Sequence, residues 1–329
     1  MADLTEAPPR PVSAPAGAAA AQPAAPRAAE RPAAARSPYA GQVITRTPPW
    51  KALTVWDIFF NNMSLGLFLA AALGAALAPA AFGWLTRVAY PLALALLVVD
   101  LGLLIFDLGD PLRFHHMLRV FKPSSPMSFG TWSLTGYGIL LGIASAGAVL
   151  QWPILAGLRA WVPLLPLVEA AAGIAGLLAV IPALGGILYK GVLFSVTSQP
   201  GWRDARWLGG YLGNAALLLG STMLLVLAGI FGQGEARTAL QYALLALLAL
   251  DVVLFSLLYR GIAPAFSARY DIAQKLFFWL TLVGMGWIGP LALLLPGSQG
   301  VLTAPPLLLA AALAVLYAVV YLPHAPPRE

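Results

Sequence analysis

TRVAYPLALALLVVDLGLLIFDLGDPLRFHHMLRVFKPSSPMSFGTW, residues 86 to 132, joins two regimes of sequence. Its first part, Thr86 to Phe106, is an apolar run long enough to cross a hydrocarbon core of roughly 30 Å as a helix. A dense cluster of charge, proline and histidine follows, and a second apolar run opens at Ser128. Runs of the first kind recur along the chain. Of 329 residues, 60% are hydrophobic and only 10% are charged, well outside the composition of soluble globular proteins. Eight spans are predicted, at about Thr54–Leu77, Thr86–Phe106, Ser128–Gln151, Pro163–Leu188, Trp207–Phe231, Thr238–Arg260, Ala273–Leu295 and Pro305–Leu322. The runs are rich in Ala and Leu and lack the alternation of a barrel strand. The expected fold is therefore an all-α integral membrane protein of eight transmembrane helices, with spans one to four and five to eight as two four-helix bundles.

Composition also excludes chemistry. With no cysteine, the chain supplies no thiolates to an iron–sulfur cluster. Its three histidines, His115, His116 and His324, all lie outside the predicted spans, so paired axial ligands for a transmembrane haem are not expected. No metal site is expected either. Electrons handled by this protein would come from a cluster in another chain. Membrane lipid is an expected partner and nucleic acid is not.

Residues 1–48 are rich in Ala and Pro and nearly free of large apolar side chains, which predicts a disordered tail. The tail has no apolar h-region, so a cleavable signal peptide is not expected. The membrane domain is expected over residues 49–323, with a short tail at 324–329. Lys and Arg gather on one side: Arg46, Lys51, Arg113, Arg119, Lys122, Lys190, Arg203, Arg206, Arg260, Arg269, Lys275 and Arg328. The other side has Arg87, Arg159 and Arg237. Positive loops stay in the cytoplasm, which predicts cytoplasmic N and C termini in a bacterial inner membrane. A basic face kept to grip an acidic partner would show the same asymmetry.

In the cluster, Asp110-Pro111 reads as a helix start and predicts a short interfacial helix over Leu112–Phe121. Ser125-Pro126 repeats the device at the entry of span three. Two helix N-termini would then offer free amides to an electronegative oxygen such as a quinone carbonyl. Polar residues gather at the same face: Asp57, Asn61 and Asn62 in span one, Asp107 at the end of span two, Ser128 and Trp132 in span three, Tyr189 and Lys190 at the end of span four. Asp57 and Asn61 share a helix face. Together they predict a polar cup at one end of a bundle, where small-molecule sites tend to occur. Asp100 and Asp251 lie deeper. Ionisable residues there are costly and tend to line proton paths, against the plainer reading of a paired, packing aspartate. Exposed Arg113, His116, Arg119, Lys122, Arg203 and Arg206 would form a docking rim. Adjacent histidines rarely point the same way on a helix, so His115 and His116 read as surface or partner contacts. Glu169 reads as interfacial on the opposite face.

DLGDPLRF (107 to 114) followed by PSSPMSFGTW (123 to 132) resembles the signature of the NrfD/PsrC family of polysulfide-reductase-like membrane subunits. YKGVLFSVTSQPGW and LGNAALLLGSTML, from Tyr189 onward, are also similar to that family. The resemblance spans about Trp56 to Leu322. It implies a haem-free, quinone-binding subunit docked to a ferredoxin-like iron–sulfur protein, often with a molybdopterin or other catalytic subunit beyond. It maps quinone and docking roles onto Asp107, Arg113, Ser128 and Trp132, with Asn61 and Asn62 as further positions. The implied substrate is menaquinone or ubiquinone, exchanged with the bilayer. Two other readings remain at this stage: an ion-coupled secondary transporter, against which the polar groups sit at one face rather than the midplane, and an anchor without a quinone site.

Overall fold

In a computed structural model, the described residues are 48–159, 161, 164–298 and 300–325. The expected disordered tail lies outside them, apart from residue 48, as do the last four residues and with them Arg46 and Arg328. Eight helices are long and apolar enough to span a membrane: α1 (Ala52–Leu77), α2 (Thr86–Phe106), α3 (Pro126–Leu150), α4 (Leu165–Ser195), α5 (Leu208–Ile230), α6 (Gly234–Arg269), α7 (Ile272–Leu294) and α8 (Val301–Val320). The described residues contain no strand. Because successive spans alternate in direction, the 107–125 and 196–207 loops lie at the face where α1 begins. That face is called proximal below, and the opposite one distal.

Several boundaries move from their expected positions. α4 continues past Leu188 to Ser195, interrupted at Ala179. Pro182 has no N–H to give the Leu178 carbonyl, which accounts for that interruption. α6 has 36 residues, about 54 Å at helical rise, so it outruns the hydrocarbon core and continues past Arg260 to Arg269. The 111–121 segment is not an α-helix. Pro111–Leu118 forms a 3-10 helix with no buried residue, and the Asp110 carboxylate pairs with Arg113 at 3.1 Å instead of capping it. Its apolar side chains Leu112 and Phe114 are exposed rather than packed on the other helices, so little tertiary packing stabilises a longer helix. The second device behaves as expected: the Ser125 side chain accepts from the Ser128 amide at 3.4 Å, and α3 begins at Pro126.

α1 is the central helix and packs against α2, α4, α5 and α8. It joins the two groups of helices along α5, where Gly66 and Gly220 bring backbones together. A Cβ on Gly66 would overlap the Ala216 carbonyl, and one on Gly220 would overlap the Gly66 backbone. Without a strong hydrophobic drive between helices in lipid, such close backbone packing is a main source of association.

The proximal end is closed by aromatic rings. Trp202, fully buried in the 196–207 loop, donates its indole N–H to the Val319 carbonyl at 2.8 Å. Its ring stacks on Trp50 at 5.6 Å and meets Phe194 edge-on at 4.7 Å. His324 contacts the Trp50 carbonyl at 2.7 Å, so one cluster ties the start of α1 to the ends of α4 and α8. Trp202→Ala is expected to cost about 3–5 kcal/mol, as for other large buried aromatics, and to lower the thermal unfolding midpoint in detergent by several degrees.

Candidate functional site

The site is built from three helices. Asp57 lies five residues into α1, Lys190 five residues before the end of α4, and Asp100 six residues before the end of α2. At 1.5 Å per residue each is about 8–9 Å inside the proximal face, so helix geometry alone sets the three at one depth. The packing brings them into contact. Lys190 Nζ is 2.9 Å from Asp57 Oδ1 and 3.2 Å from Asp100 Oδ1, and it also donates to the Asp57 carbonyl at 3.3 Å. All three are buried, Asp100 completely. Among the described residues Lys190 is the one buried basic side chain.

Two carboxylates facing one ammonium leave a formal charge of −1. Both carboxyls face the one ammonium, and Asp100 Oδ2 has no donor among the described residues. One proton held on the cluster balances the charge. This triad is therefore suited to take up and release one proton inside the membrane.

Above the triad, Asp107 caps the end of α2 and accepts from the Thr54 hydroxyl at 3.1 Å. Partial burial raises the Asp107 pKa, the nearby Asp57 charge adds to the rise, and the Thr54 hydrogen bond opposes it. The carboxyl thus keeps its proton to higher pH than a free aspartic acid. Since its folded pKa is raised, Asp107 contributes stability below the unfolded value, and that contribution is lost as pH climbs through the folded one. Thr54→Val removes the opposing bond, so the Asp107 titration, followed by carboxyl infrared bands or by the pH profile of turnover, is expected to move to still higher pH.

Tyr189 lies beside Lys190, its ring centroid 5.8 Å from Nζ. Gly130 on α3 makes room for it, because a Cβ there would overlap the tyrosine ring. One wall of a cavity of about 220 Å³ is formed by Tyr189, Leu188 and Val192, the other by Pro123, Ser124, Pro126 and Phe129. The first helix entry after the motif therefore borders a space next to the triad. Asn61 donates to the Gly186 carbonyl at 3.3 Å, which fixes it against α4, while its Oδ1 and the buried Asn62 Nδ2 have no partner among the described residues.

Other expected site residues stand elsewhere. The Ser128 hydroxyl donates to the Val120 carbonyl at 3.2 Å and accepts from the Lys122 amide at 3.0 Å, so it staples the motif loop. Trp132 is half-exposed and meets Phe121 edge-on at 6.1 Å. Asp251, on α6, belongs to a second polar site: it accepts from Asn214 Nδ2 at 3.3 Å and from Trp287 Nε1 at 3.1 Å. With Tyr211 and Gly286 it borders a cavity of about 20 Å³, room for one water. Trp287 sits in a π-helical stretch of α7, Leu280–Ile288, a form that recurs at functional sites. Trp287→Phe leaves Asp251 Oδ2 without its indole donor and is expected to cost about 1–3 kcal/mol in unfolding stability.

The docking candidates Arg113, His116, Arg119, Lys122, Arg203 and Arg206 are all exposed on the two proximal loops. Arg203 has a loose contact with Asp204 at 3.6 Å. At the distal face Glu169 pairs with Arg159 at 2.7 Å. Sequence reasoning ended span four too early, at Leu188, and so placed Lys190 at the membrane face, at the end of the span, rather than inside it. The signal was present in the apolar Val192, Leu193 and Phe194 beyond it, which carry the helix on and leave the lysine inside.

Eight helices able to span a membrane, an internal ion triad and a basic proximal face define a multi-pass membrane protein with buried charge near one face. The chain belongs to the polysulphide reductase NrfD family, whose family model matches residues 43–322. Members of this family are in general membrane subunits of quinone-linked oxidoreductases, associated with iron–sulfur and catalytic subunits. No individual curated protein matches the chain.

Proposed function

We propose that this protein exchanges electrons between membrane quinone and an iron–sulfur partner docked on its proximal face, with protons supplied through its own carboxyls. The observation that carries the reading is the buried Asp57–Lys190–Asp100 triad lying beneath the Asp107–Thr54 pair. Reduction of a quinone consumes two electrons and two protons, and neither can be left as bare charge in a low-dielectric interior. Asp107, held protonated to higher pH than usual, is placed to hydrogen-bond or protonate a quinone oxygen, and the triad replaces the proton. The cavity at Tyr189 is apolar on most sides, with a phenol at the triad end, which fits a menaquinone or ubiquinone head group arriving from the bilayer. Asn61, Asn62 and Asp57 are the further polar groups we assign to the quinone site. Asp251 serves as a separate proton-holding group in the second set of helices.

The partner is a ferredoxin-like iron–sulfur subunit, with a molybdopterin or other catalytic subunit beyond it. Arg113, His116, Arg119, Lys122, Arg203 and Arg206 receive its acidic surface, while Ser128 and Trp132 support the motif loop. The basic loops favour, by the positive-inside rule, a proximal face in the cytoplasm of a bacterial cell. A topology reporter fused after Arg328 is expected to be active in the cytoplasm, and activity confined to the periplasm would reverse that placement.

Asp107→Asn tests the central step. The amide keeps the shape and removes the proton, so quinone-linked turnover of the purified complex is expected to fall at least tenfold, in the range of lost general acid catalysis. Assembly is expected to stay intact, because the amide oxygen still accepts from the Thr54 hydroxyl. Normal turnover in a normally assembled variant would remove Asp107 from the mechanism.

A further inference from the structure

We infer that a groove between α1 and α6, on the distal side, receives a transmembrane helix of a partner subunit. The helix it fits presents small residues, a hydrogen-bonding side chain near the middle of the bilayer, and a Lys or Arg at its distal end. The groove shares no residue with the triad or with the cavity at Tyr189, so this docking stands apart from the quinone reading.

The groove has a volume of about 420 Å³. α5 packs against both α1 and α6 and forms its floor, where Ser221 stands. The walls are made of small residues, Ala70 and Gly74 on α1 and Ala239, Ala243 and Ala246 on α6. They run from Ala70 to Ala78 and from Ala239 to Leu247, each about 12 Å of helical rise. One leaflet of hydrocarbon is about 15 Å thick, so the groove follows most of it. Leu73 and Leu77 stand on the rim, 58% and 77% exposed. In lipid, where apolar area drives little association, small residues let a second backbone come close and gain contact.

The floor says what the occupant must carry. Ser221 lies about 14 Å inside the distal end of α5, close to the middle of the bilayer, and is only 5% exposed. Its hydroxyl has no hydrogen-bond partner among the described residues, although Thr222 beside it donates back to the Leu218 carbonyl at 2.7 Å. A buried hydroxyl left unpaired is costly, so this one calls for an acceptor on whatever fills the groove. An acyl chain or an isoprenoid tail has none at that depth. A Ser, Thr, Asn or Gln on an inserted helix does.

Charge at the mouth agrees. Glu235, in the first turn of α6, is exposed and has no ion pair among the described residues. It stands four residues before Ala239 and eight before Ala243, on the same side of the helix. A carboxylate there repels a lipid phosphate and attracts a Lys or Arg. A second copy of this chain would bring a concave face to a concave face and leave the space unfilled. Because Ser221 follows Gly220, a helix seated in the groove lies along the α1–α5 seam and supports the position of α1.

The complex purified with its native partners into lipid nanodiscs tests this. With the photocrosslinker p-benzoylphenylalanine in place of Leu77, light is expected to join this chain to an apolar, membrane-spanning peptide of a co-purified subunit. The same group in place of Tyr242, exposed on α6 outside the groove, is expected to give lipid adducts. Ala243→Trp fills the groove from an exposed position, so it is expected to lower retention of that subunit roughly fivefold or more while the yield of this chain stays at the wild-type level. Ser221→Ala removes the hydroxyl alone and is expected to lower retention about threefold. Adducts at Leu77 with phospholipid or a second copy only, no peptide adduct there, or full retention of the subunit in both variants would overturn the docking.

Discussion

Complexes carrying Lys190→Met are expected to be recovered at a small fraction of the wild-type yield. Methionine fills similar space but removes the ammonium, leaving Asp57 and Asp100 buried face to face with no cation. Removing one partner of a buried ion pair costs about 3–5 kcal/mol. That is a large part of the total stability of a typical fold, about 5–15 kcal/mol. A triple variant, Lys190→Met with Asp57→Asn and Asp100→Asn, replaces the charged cluster with neutral groups of the same shape. Its yield and thermal midpoint are expected to return towards wild type. Quinone-linked turnover is not, because no exchangeable proton remains beneath Asp107. The pair of measurements separates the two roles of the triad: yield follows charge balance, and turnover follows the proton. A single variant with wild-type yield and midpoint would show that the three charges do not hold α1, α2 and α4 together.

That triad also shows how far the chain could be read before its structure. Spans are set by runs of apolar residues, and each run is a local property, so the eight helices and the Ser125-Pro126 start were legible. Asp57 and Asp100 were also visible as carboxylates in apolar runs. What joins them is not local. Lys190 lies 133 residues from Asp57 and 90 from Asp100 along the chain, and no periodicity encodes which helices will be neighbours. The error at Lys190 came from taking a charged residue as a helix end when its charge is met from another helix. At Asp110 the local rule failed for the opposite reason. An aspartate before a proline is a good cap, but the exposed Arg113 competed for its carboxylate, and no residue of Pro111–Leu118 is buried against the other helices. Ser128 was read only as a ligand position, and its hold on its own loop was missed, since a serine hydroxyl near free backbone groups meets the closest of them. The groove at Ser221 is not local either. Its walls come from α1 and α6 and its floor from α5, so no single run of residues announces it.

Gly66→Val and Gly220→Val are expected to prevent the two groups of helices from joining. At each position a Cβ would fall inside backbone of the opposite helix, so rotamer changes give no relief and α1 and α5 must move apart. The loss spreads because α1 also carries Asp57 to Lys190 and packs against α2, α4 and α8. Moving the α1–α5 seam therefore strains the triad and the Asp107–Thr54 pair together. In lipid the separated helices keep their internal hydrogen bonds, so helix content is expected to stay close to wild type by circular dichroism. Assembly with the iron–sulfur partner and resistance to limited proteolysis are expected to be lost. Gly142→Val, on α3 where an added Cβ meets open space, provides the matched control and is expected to behave as wild type. If the seam variants assembled normally, the close glycine contact would not be what holds the two groups together, and the depth matching of Asp57, Lys190 and Asp100 would have to survive a displaced α1. The glycines and the charges thus make one claim from two directions: the position of α1 against α5 sets the geometry of the site.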